Sequence, residues 1–393
     1  MSKIRSTAKD ALLRLLVFAL VGAAIAAVTG RLSAHTVNDT PSYVDYPFDS
    51  LEEALVSIRT PGYPILIALV QSTFGLSAIP VIHTLLHCLA AWALGEELLQ
   101  RKMPFAPAMM VAFCVLVGCT ASDHINTIST DAPAASLGVL TATLLMRAAR
   151  TANRSDSVIC GVLAIATIFV RPAYLFLIPW IAVAGWMLRY QQERQEDVAE
   201  NAPTSRFFGV VVAAAVMAVL VGWMGLRKAV VDEFAIAPFG HQNMSAVLVQ
   251  TVPTSTLRSL PGEAGELGSR VADKLEREGY ESPGDSEFGL PTMTIESQWG
   301  RINYFVVWPT AREIDQEKNA AIDNPRSEVR VHRQIGSLNR AIVFAEPRAY
   351  VRWFMLAFRR GVWGTAANIA MHPIFLALLL FAAVRLVYRA ITQ

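Results

Sequence analysis

Charged residues are scarce in this sequence. Only 17% of its 393 residues are Asp, Glu, Lys or Arg, whereas soluble domains average roughly 25%. The net charge of +2 is too small to indicate a nucleic-acid partner, and no basic stretch is interleaved with aromatic residues that would stack on bases. The charges that are present cluster in short loops and over 226–360. The runs between them approach the roughly 20 apolar residues that cross a bilayer.

Cysteine is rare as well. Its four copies, Cys88, Cys114, Cys119 and Cys160, all lie inside apolar runs, so no disulfide framework is available in a water-facing loop. A Gly-rich phosphate loop, a G-x-S-x-G elbow and a C-x-x-C pair are also missing. Their absence argues against the nucleotide-binding, hydrolase and redox classes that carry those motifs.

Eight apolar segments predict membrane-spanning helices. Lys and Arg flank them unevenly: the connecting segments on one side carry thirteen of these residues, whereas the short loops on the other side carry only Arg31, Arg59 and Arg171. The long segment 226–360 is left out of this count, because long domains cross the membrane largely regardless of charge. Because positive residues accumulate on the cytoplasmic side, we predict a multi-pass protein of the inner or plasma membrane with a cytoplasmic N-terminus. The first segment is too long for the apolar region of a cleaved signal peptide. The predicted spans are 11–30, 80–99, 105–121, 132–149, 157–171, 172–188, 207–225 and 371–390.

This topology leaves three outer regions: loop 31–79, loop 122–131 and the long segment 226–370. Residues 61–79 are apolar, but a span there would reverse every later helix, so we predict a juxtamembrane or partly inserted helix. Residues 350–366 mix Trp and Phe with Arg, which suits a helix in the membrane interface or one packed within the outer domain. The predicted fold is an all-α integral membrane protein with a transmembrane module (1–225), an extracytoplasmic loop domain (226–370) and a C-terminal transmembrane helix (371–393).

The two short outer loops hold the acidic candidates. Asp39 is the first of five acids in the first loop, and the second loop contains Asp123, His124 and Asp131. Asp131 abuts the next helix, where the helix dipole favours a carboxylate. These acids either solvate loops and cap helices or form a site, since charge at a membrane boundary is costly to hold. Arg171, which ends the fifth span, either snorkels or grips a phosphate.

A pair of histidines, His83 and His87, has the i, i+4 spacing of a metal pair but lies in mid-span without an intervening Glu. Packing within the helix bundle is the alternative explanation, and it is the one we favour.

Four short motifs follow one another in a definite order. They are D-x-x-x-Y (Asp39 to Tyr43), R-T-P-G-Y-P (Arg59 to Pro64), S-T-D (129–131) at a helix start, and R-P (171–172) at another. In type and order they resemble those of the GT-C superfamily of membrane glycosyltransferases. The likeness is greatest to the bacterial branch related to protein O-mannosyltransferases and lipid A aminoarabinose transferases, and it covers roughly residues 10–225 and the final helix.

The resemblance implies an inverting glycosyltransferase that moves a sugar from a polyprenyl-phosphate donor to a hydroxyl of a glycan, lipid or protein on the outer side. Asp39 matches the family's catalytic acid and would act as the general base. Asp131 matches a second acidic residue of the site. Arg59 matches a basic residue for the carrier phosphate, and Arg171 is a second phosphate contact.

Three further substrate-binding candidates come from the same motifs and loops: Tyr43, Tyr63 and His124. One departure from the family concerns Thr40, which stands where many relatives have a second acid. The use of a divalent cation is therefore left open.

Two other function classes compete with the transferase. A transporter or flippase of lipid-linked sugars usually shows inverted repeats and broken helices, and neither is visible here. A non-catalytic scaffold would use its outer domain to bind a partner. That domain matches no family we can name. It predicts helices near 263–279 and 325–345, and its Trp299 and Tyr304 either stack on a sugar or pack in the core.

Overall fold

The computed structural model describes residues 8–118, 124–195, 207–281, 283, 290–319, 326–371 and 373–392. Within these ranges every regular element is a helix, apart from one isolated β-bridge. The chain divides into two compact units, Met1–Ala237 and Pro238–Gln393.

The first unit is a bundle of helices numbered here in chain order. Short 3-10 helices, Leu76–Ala78 and Pro172–Phe176, precede the fifth and ninth of them. The α-helices are α1 (Ala8–Val28), α2 (Thr40–Val44), α3 (Leu51–Val56), α4 (Gly62–Phe74), α5 (Ile79–Gln100), α6 (Phe105–Leu116), α7 (Asp131–Thr151), α8 (Arg154–Val170), α9 (Leu177–Gln195) and α10 (Phe208–Val231).

Five helices are long and apolar enough to cross a membrane. They are Ala8–Val28, Leu76–Gln100, Asp131–Thr151, Pro172–Gln191 and Phe208–Val231. Each of the eight segments predicted to span contains a helix, but among the described residues five, not eight, meet the length and hydropathy expected of a span. The all-helical class and the apolar bundle are therefore confirmed, while the count of eight spans and their orientation stay predictions.

Small residues let the helices of the bundle approach closely. A Cβ atom on Gly185 of α9 would lie 2.8 Å from the Cα atom of Gly209 in α10, so any larger residue would push the two helices apart. Such small-residue contacts are typical of membrane helices, which lack a hydrophobic driving force for association. Within the bundle α5 packs against α1, α6 and α7, and α8 packs against α7 and α10.

The second unit has a buried apolar core built from amphipathic helices. Two of its helices, Gly262–Arg277 and Ser327–Ala345, confirm the helices expected near 263–279 and 325–345. The π-helical stretch Ile302–Val307 joins the fourth and fifth helices. The α-helices are α11 (His241–Leu248), α12 (Thr254–Arg258), α13 (Gly262–Arg277), α14 (Thr292–Arg301), α15 (Trp308–Asn319), α16 (Ser327–Ala345), α17 (Pro347–Met371) and α18 (Pro373–Thr392).

The helix α17 contains the segment 350–366, which the sequence places either in the membrane interface or within the outer domain. Met355, Phe358 and Trp363 are each at least 60% exposed, so these three side chains are not packed within the unit, and the interfacial placement stays a prediction. Of the two candidate sugar-stacking residues, Trp299 packs against the core and donates its indole N–H to the Asn243 carbonyl at 3.0 Å. Tyr304 is exposed.

Candidate active site

Backbone pairing between two loops builds the candidate site. The N–H of His35 donates to the carbonyl of Asn126 at 2.8 Å, and the N–H of Ile128 donates to the carbonyl of His35 at 2.9 Å. These bonds form the parallel bridge between His35 and Thr127. The bridge fixes the chain just before Asp39 beside the chain just before Asp131, although the two carboxylates are 92 positions apart in sequence.

The first functional pair joins Asp39 to Arg59. A terminal nitrogen of the Arg59 guanidinium lies 2.8 Å from a carboxylate oxygen of Asp39. Its Nε donates to the Ser42 hydroxyl at 2.8 Å, and the guanidinium stacks 4.4 Å from the ring centroid of Tyr43. Asp39 is 58% exposed and Arg59 only 12%. The arginine is therefore held rigidly, while the carboxylate stays accessible to a substrate.

The second pair joins Asp131 to Arg171. The Arg171 guanidinium lies 2.9 Å from the Asp131 carboxylate and donates to the Thr130 hydroxyl, also at 2.9 Å. Ser129 donates to the second carboxylate oxygen of Asp131 at 3.3 Å. Asp131 begins α7 and Arg171 directly follows α8, so both side chains lie at the same end of the bundle. The S-T-D and R-P motifs thus meet in one hydrogen-bonded group.

Tyr43 connects the two ion pairs. Its ring is buried, and burial raises the pKa of its hydroxyl, an effect that Arg59, Thr130 and Arg171 oppose and Asp39 reinforces. Residues of both ion pairs therefore affect the pKa of the Tyr43 hydroxyl. Arg59 stacks on the Tyr43 ring, and Arg171, which pairs with Asp131, acts on the same hydroxyl, a grouping that neither loop could form alone.

Tyr63 lies beneath Tyr43 and is completely buried. The two rings meet edge to face, with centroids 5.1 Å apart, and burial raises the pKa of the Tyr63 hydroxyl. That hydroxyl lies 3.4 Å from Nε2 of His83, whose Nδ1 is 3.0 Å from the Ile125 carbonyl. Tyr63 thus packs against the ring of Tyr43, and its own side chain is not exposed to a substrate in this structure.

The two histidines of α5 each have protein hydrogen-bond partners. His83 bonds to Tyr63 and the Ile125 carbonyl as above, and His87 lies 3.2 Å from both the Ser136 hydroxyl and the Leu116 carbonyl. Both side chains are buried. This arrangement agrees with the packing role favoured from the sequence.

Close backbone packing explains why the R-T-P-G-Y-P string has a glycine at position 62. A Cβ atom there would lie 2.5 Å from the carbonyl carbon of Phe169 and 2.6 Å from the backbone nitrogen of Val170. Thr60 donates its hydroxyl to the Phe169 carbonyl at 2.6 Å. The start of α4 is therefore pressed against the end of α8, which places Arg59 close to the segment that leads to Arg171.

Substituting Gly62 with Ala tests this close approach. We expect a loss of about 1–3 kcal/mol in unfolding free energy, because the new methyl group meets backbone atoms that cannot rotate away. Chemical unfolding of the purified chain measures the loss. The control is Gly222→Ala in α10, where a Cβ meets nothing within 4 Å. Equal stability of Gly62→Ala and wild type would contradict the close contact.

Thr40 has a structural role between the two loops. Its side chain is buried, accepts the Val37 N–H at 2.9 Å and donates to the Ile128 carbonyl at 3.1 Å. It therefore joins the two loops that the backbone bridge pairs. An ionised carboxylate here would be buried against a carbonyl oxygen, which is costly.

His124 does not belong to the cluster formed by Tyr43 and the two carboxylate–arginine pairs. Its side chain is exposed, and it makes no hydrogen bond or ion pair with the site residues that the structure describes. Asp123 and Cys119 lie outside the described residues. Within the described ranges no three His, Cys, Asp or Glu side chains come together as a metal-binding set, and Asp39 and Asp131 each face an arginine.

Comparison with known proteins identifies no relative of this chain. No protein-family model matches the chain, and no curated protein matches it either. The GT-C resemblance therefore rests on the sequence motifs alone.

Sequence reasoning missed the residues that connect the motifs. Ser42 and Thr130 each accept a hydrogen bond from a site arginine, and Thr60 anchors the start of α4. Hydroxyl residues are common in loops, so their type carries no signal by itself. Their position inside the D-x-x-x-Y, R-T-P-G-Y-P and S-T-D strings was the available clue.

Proposed function

We propose that this chain is an inverting glycosyltransferase that takes a sugar from a polyprenyl-phosphate carrier. The observation that carries the proposal is the convergence of two carboxylate–arginine pairs around Tyr43, at one end of an apolar helix bundle. A reaction that removes a proton from a hydroxyl while a phosphate leaves needs a base and cations close together. The donor's lipid tail explains why such a site would lie at a membrane boundary.

Asp39 is the proposed general base. The acceptor hydroxyl loses its proton to the Asp39 carboxylate as its oxygen forms a bond to the anomeric carbon of the sugar. The bond between that carbon and the phosphate oxygen breaks, and its electron pair leaves with the polyprenyl phosphate. A single displacement inverts the anomeric centre, and no water molecule has to be activated. Among the four charged groups, Asp39 is the most exposed, which suits contact with an incoming acceptor.

Arg59 is the proposed ligand of the donor phosphate. A guanidinium binds phosphate oxygens in a bidentate manner, so a donor phosphate competes with Asp39 for Arg59. Binding of the donor would then release Asp39 from its ion pair and free its carboxylate to contact the acceptor hydroxyl. Ser42 and Tyr43 keep Arg59 in place during this exchange. The donor itself thereby makes the base available.

Asp131 and Arg171 form the proposed second half of the site. Arg171 is 37% exposed, so it can contribute to stabilising the leaving phosphate. Asp131 is held by Ser129 and Arg171 and is better suited to orienting the sugar or the acceptor than to taking a proton.

The defining experiment uses the full chain in proteoliposomes with a polyprenyl-phosphate donor that carries a radiolabelled sugar. We expect label to move to an acceptor and free polyprenyl phosphate to appear in equal amount. Movement of the intact donor across the bilayer, without cleavage of its sugar–phosphate bond, would instead establish the flippase. A chain that neither transfers label nor moves any of a panel of donors would favour the scaffold.

Arg59→Gln provides a second test in the same assay. Loss of a charge-assisted contact with the phosphate should raise the donor KM by roughly 10- to 100-fold. Lys228→Met, which removes a cation from an exposed pair in α10, serves as the control and should leave the KM unchanged. An Arg59→Gln protein with the wild-type donor KM would remove Arg59 from the phosphate site.

A further inference from the structure

The opposite end of the first unit carries a groove that the proposed reaction does not use. It encloses about 510 Å³ between α1, α5 and α7. We propose that this groove binds an anionic phospholipid by its phosphate headgroup. The proposal is independent of the proposed transferase activity, since it concerns other residues and a different end of the bundle.

The groove is remote from the acid site. Arg150 lies nineteen residues after Asp131 on α7, a rise of about 28 Å along the helix. This separation approaches the roughly 30 Å thickness of a hydrocarbon core. If the Asp39 and Asp131 pairs lie at one membrane surface, the groove therefore opens at the other surface, where the positive-inside pattern places the cytoplasm.

The walls of the groove suit a lipid. Leu140, Leu144 and Arg147 line it, and their spacing of four and three residues places them on one face of α7. Trp92 of α5 lines the groove as well and donates its indole N–H to the Ala11 carbonyl of α1 at 3.0 Å. An acyl chain would lie along the leucines, and tryptophan is typical of the headgroup level.

Charge at this end of the bundle favours an anion. Glu97 is buried and bonds to both Arg101 and Arg150, so two arginines share one carboxylate. Glu96 pairs with Arg14. Over residues 8–14, 96–102 and 147–156 there are seven cations and four anions. Basic pockets between membrane helices on the cytoplasmic side are a known setting for anionic headgroups.

Arg147 is the residue best placed to hold the phosphate. It lines the groove, and its side chain is 54% exposed. Its contacts with the two Asp156 carboxylate oxygens are both made through Nε, at 3.1 and 3.2 Å. Asp156 also accepts a bond from the Thr151 hydroxyl at 2.7 Å. The carboxylate is therefore held from two sides, and neither of its contacts with Arg147 uses the terminal nitrogens of the guanidinium.

Native mass spectrometry of the full chain in detergent tests the proposal by titration with phosphatidylglycerol or phosphatidylcholine. We expect Arg147→Gln to weaken phosphatidylglycerol binding about tenfold, because it removes a charge-assisted contact. Ala93→Phe, which fills the groove without changing charge, should weaken it as well. The matched control Arg154→Gln removes an exposed cation from the same end but outside the groove, and it should bind as wild type does.

Several results would overturn the proposal. Wild-type phosphatidylglycerol binding by Ala93→Phe would show that the groove is not the site, even if Arg147→Gln failed to fold. An equal loss in Arg154→Gln and Arg147→Gln would show diffuse surface attraction. Equal binding of phosphatidylcholine would show that headgroup charge has no role. Competition by soluble glycerol phosphate at the same concentration would assign the site to a free phosphate ester.

Discussion

Replacing Asp39 with Asn is expected to lower the turnover of sugar transfer by about 10²- to 10⁴-fold, the usual contribution of a general base. Asn has the size and shape of Asp but accepts no proton at neutral pH. The substitution leaves the backbone bridge at His35 and the buried Thr40 contacts intact, so folding should be unaffected. The full chain and the variant are compared in proteoliposomes with a labelled donor.

The donor KM separates loss of the base from general damage to the site. Because Asp39 competes with the donor phosphate for Arg59, the Asp39→Asn protein should bind the donor at least as tightly as wild type. The expected signature is therefore a much lower kcat without any rise in the donor KM. A collapsed site would instead lower the turnover and raise the KM together.

Asp45→Asn is the matched control. Asp45 lies in the same loop, six positions later, and is exposed, so the same chemical change there should leave transfer within twofold of wild type. Wild-type turnover in Asp39→Asn would remove the general base from the mechanism. A transporter that does not couple to protons would also tolerate the change, and its intact donor would cross the bilayer.

Replacing Arg227 with Met is expected to destabilise the first unit by about 3–5 kcal/mol, the cost of breaking a buried ion pair from one side. Arg227 of α10 is fully buried. It donates to the Leu55 carbonyl at 2.9 Å, to the Ala235 carbonyl at 2.7 Å and to the Glu233 carboxylate at 2.7 Å. Its loss leaves Glu233, only 10% exposed, without its cationic partner.

This substitution should also impair transfer. The Leu55 carbonyl belongs to α3, four positions before Arg59, so Arg227 holds the first outer loop against the end of α10. Loosening that loop changes the position of Arg59 relative to Asp39. A shift of about 1 Å in a reacting group can cost roughly 100-fold in rate, so both stability and turnover are to be measured.

Two comparisons isolate the buried pair. Lys228→Met breaks the neighbouring exposed pair with Asp232 and should change stability by less than about 1 kcal/mol. The double substitution Arg227→Met with Glu233→Leu should recover part of the lost stability, because no uncompensated buried charge remains. If Arg227→Met were as stable as Lys228→Met, the buried arginine would not anchor the loop.

The positions of the helices could be predicted from the sequence because each depends on a local property. A run of apolar residues near the length of a bilayer crossing forms a helix wherever it lies, since only a helix or a closed barrel satisfies its own backbone hydrogen bonds in lipid. All eight predicted segments contain helices, as do 263–279 and 325–345. The helix Phe105–Leu116 ends five residues earlier than predicted, and residues 119–123 lie outside the described ranges.

The motifs placed the candidate residues at the ends of helices but did not show which carboxylate meets which arginine. Pairing depends on contacts between segments far apart in the chain, such as the His35 bridge to Thr127 and the hydrogen bond from Thr60 to Phe169. Tyr63 was predicted to contact substrate, yet it is buried beneath Tyr43, since a tyrosine at a helix start can face either way. The importance of Arg227 was also invisible, because its Leu55 partner lies 172 positions away in the chain.

The sequence by itself determined the apolar helices, the uneven distribution of positive charge and the residue types available at each helix end, because these follow from hydropathy and spacing along the chain. Only the tertiary structure decided that Asp39 pairs with Arg59, that Asp131 pairs with Arg171 and that Tyr43 lies between them. Such pairings are chosen by the geometry with which remote segments pack, and short-range forces between side chains act only after that packing has brought them together.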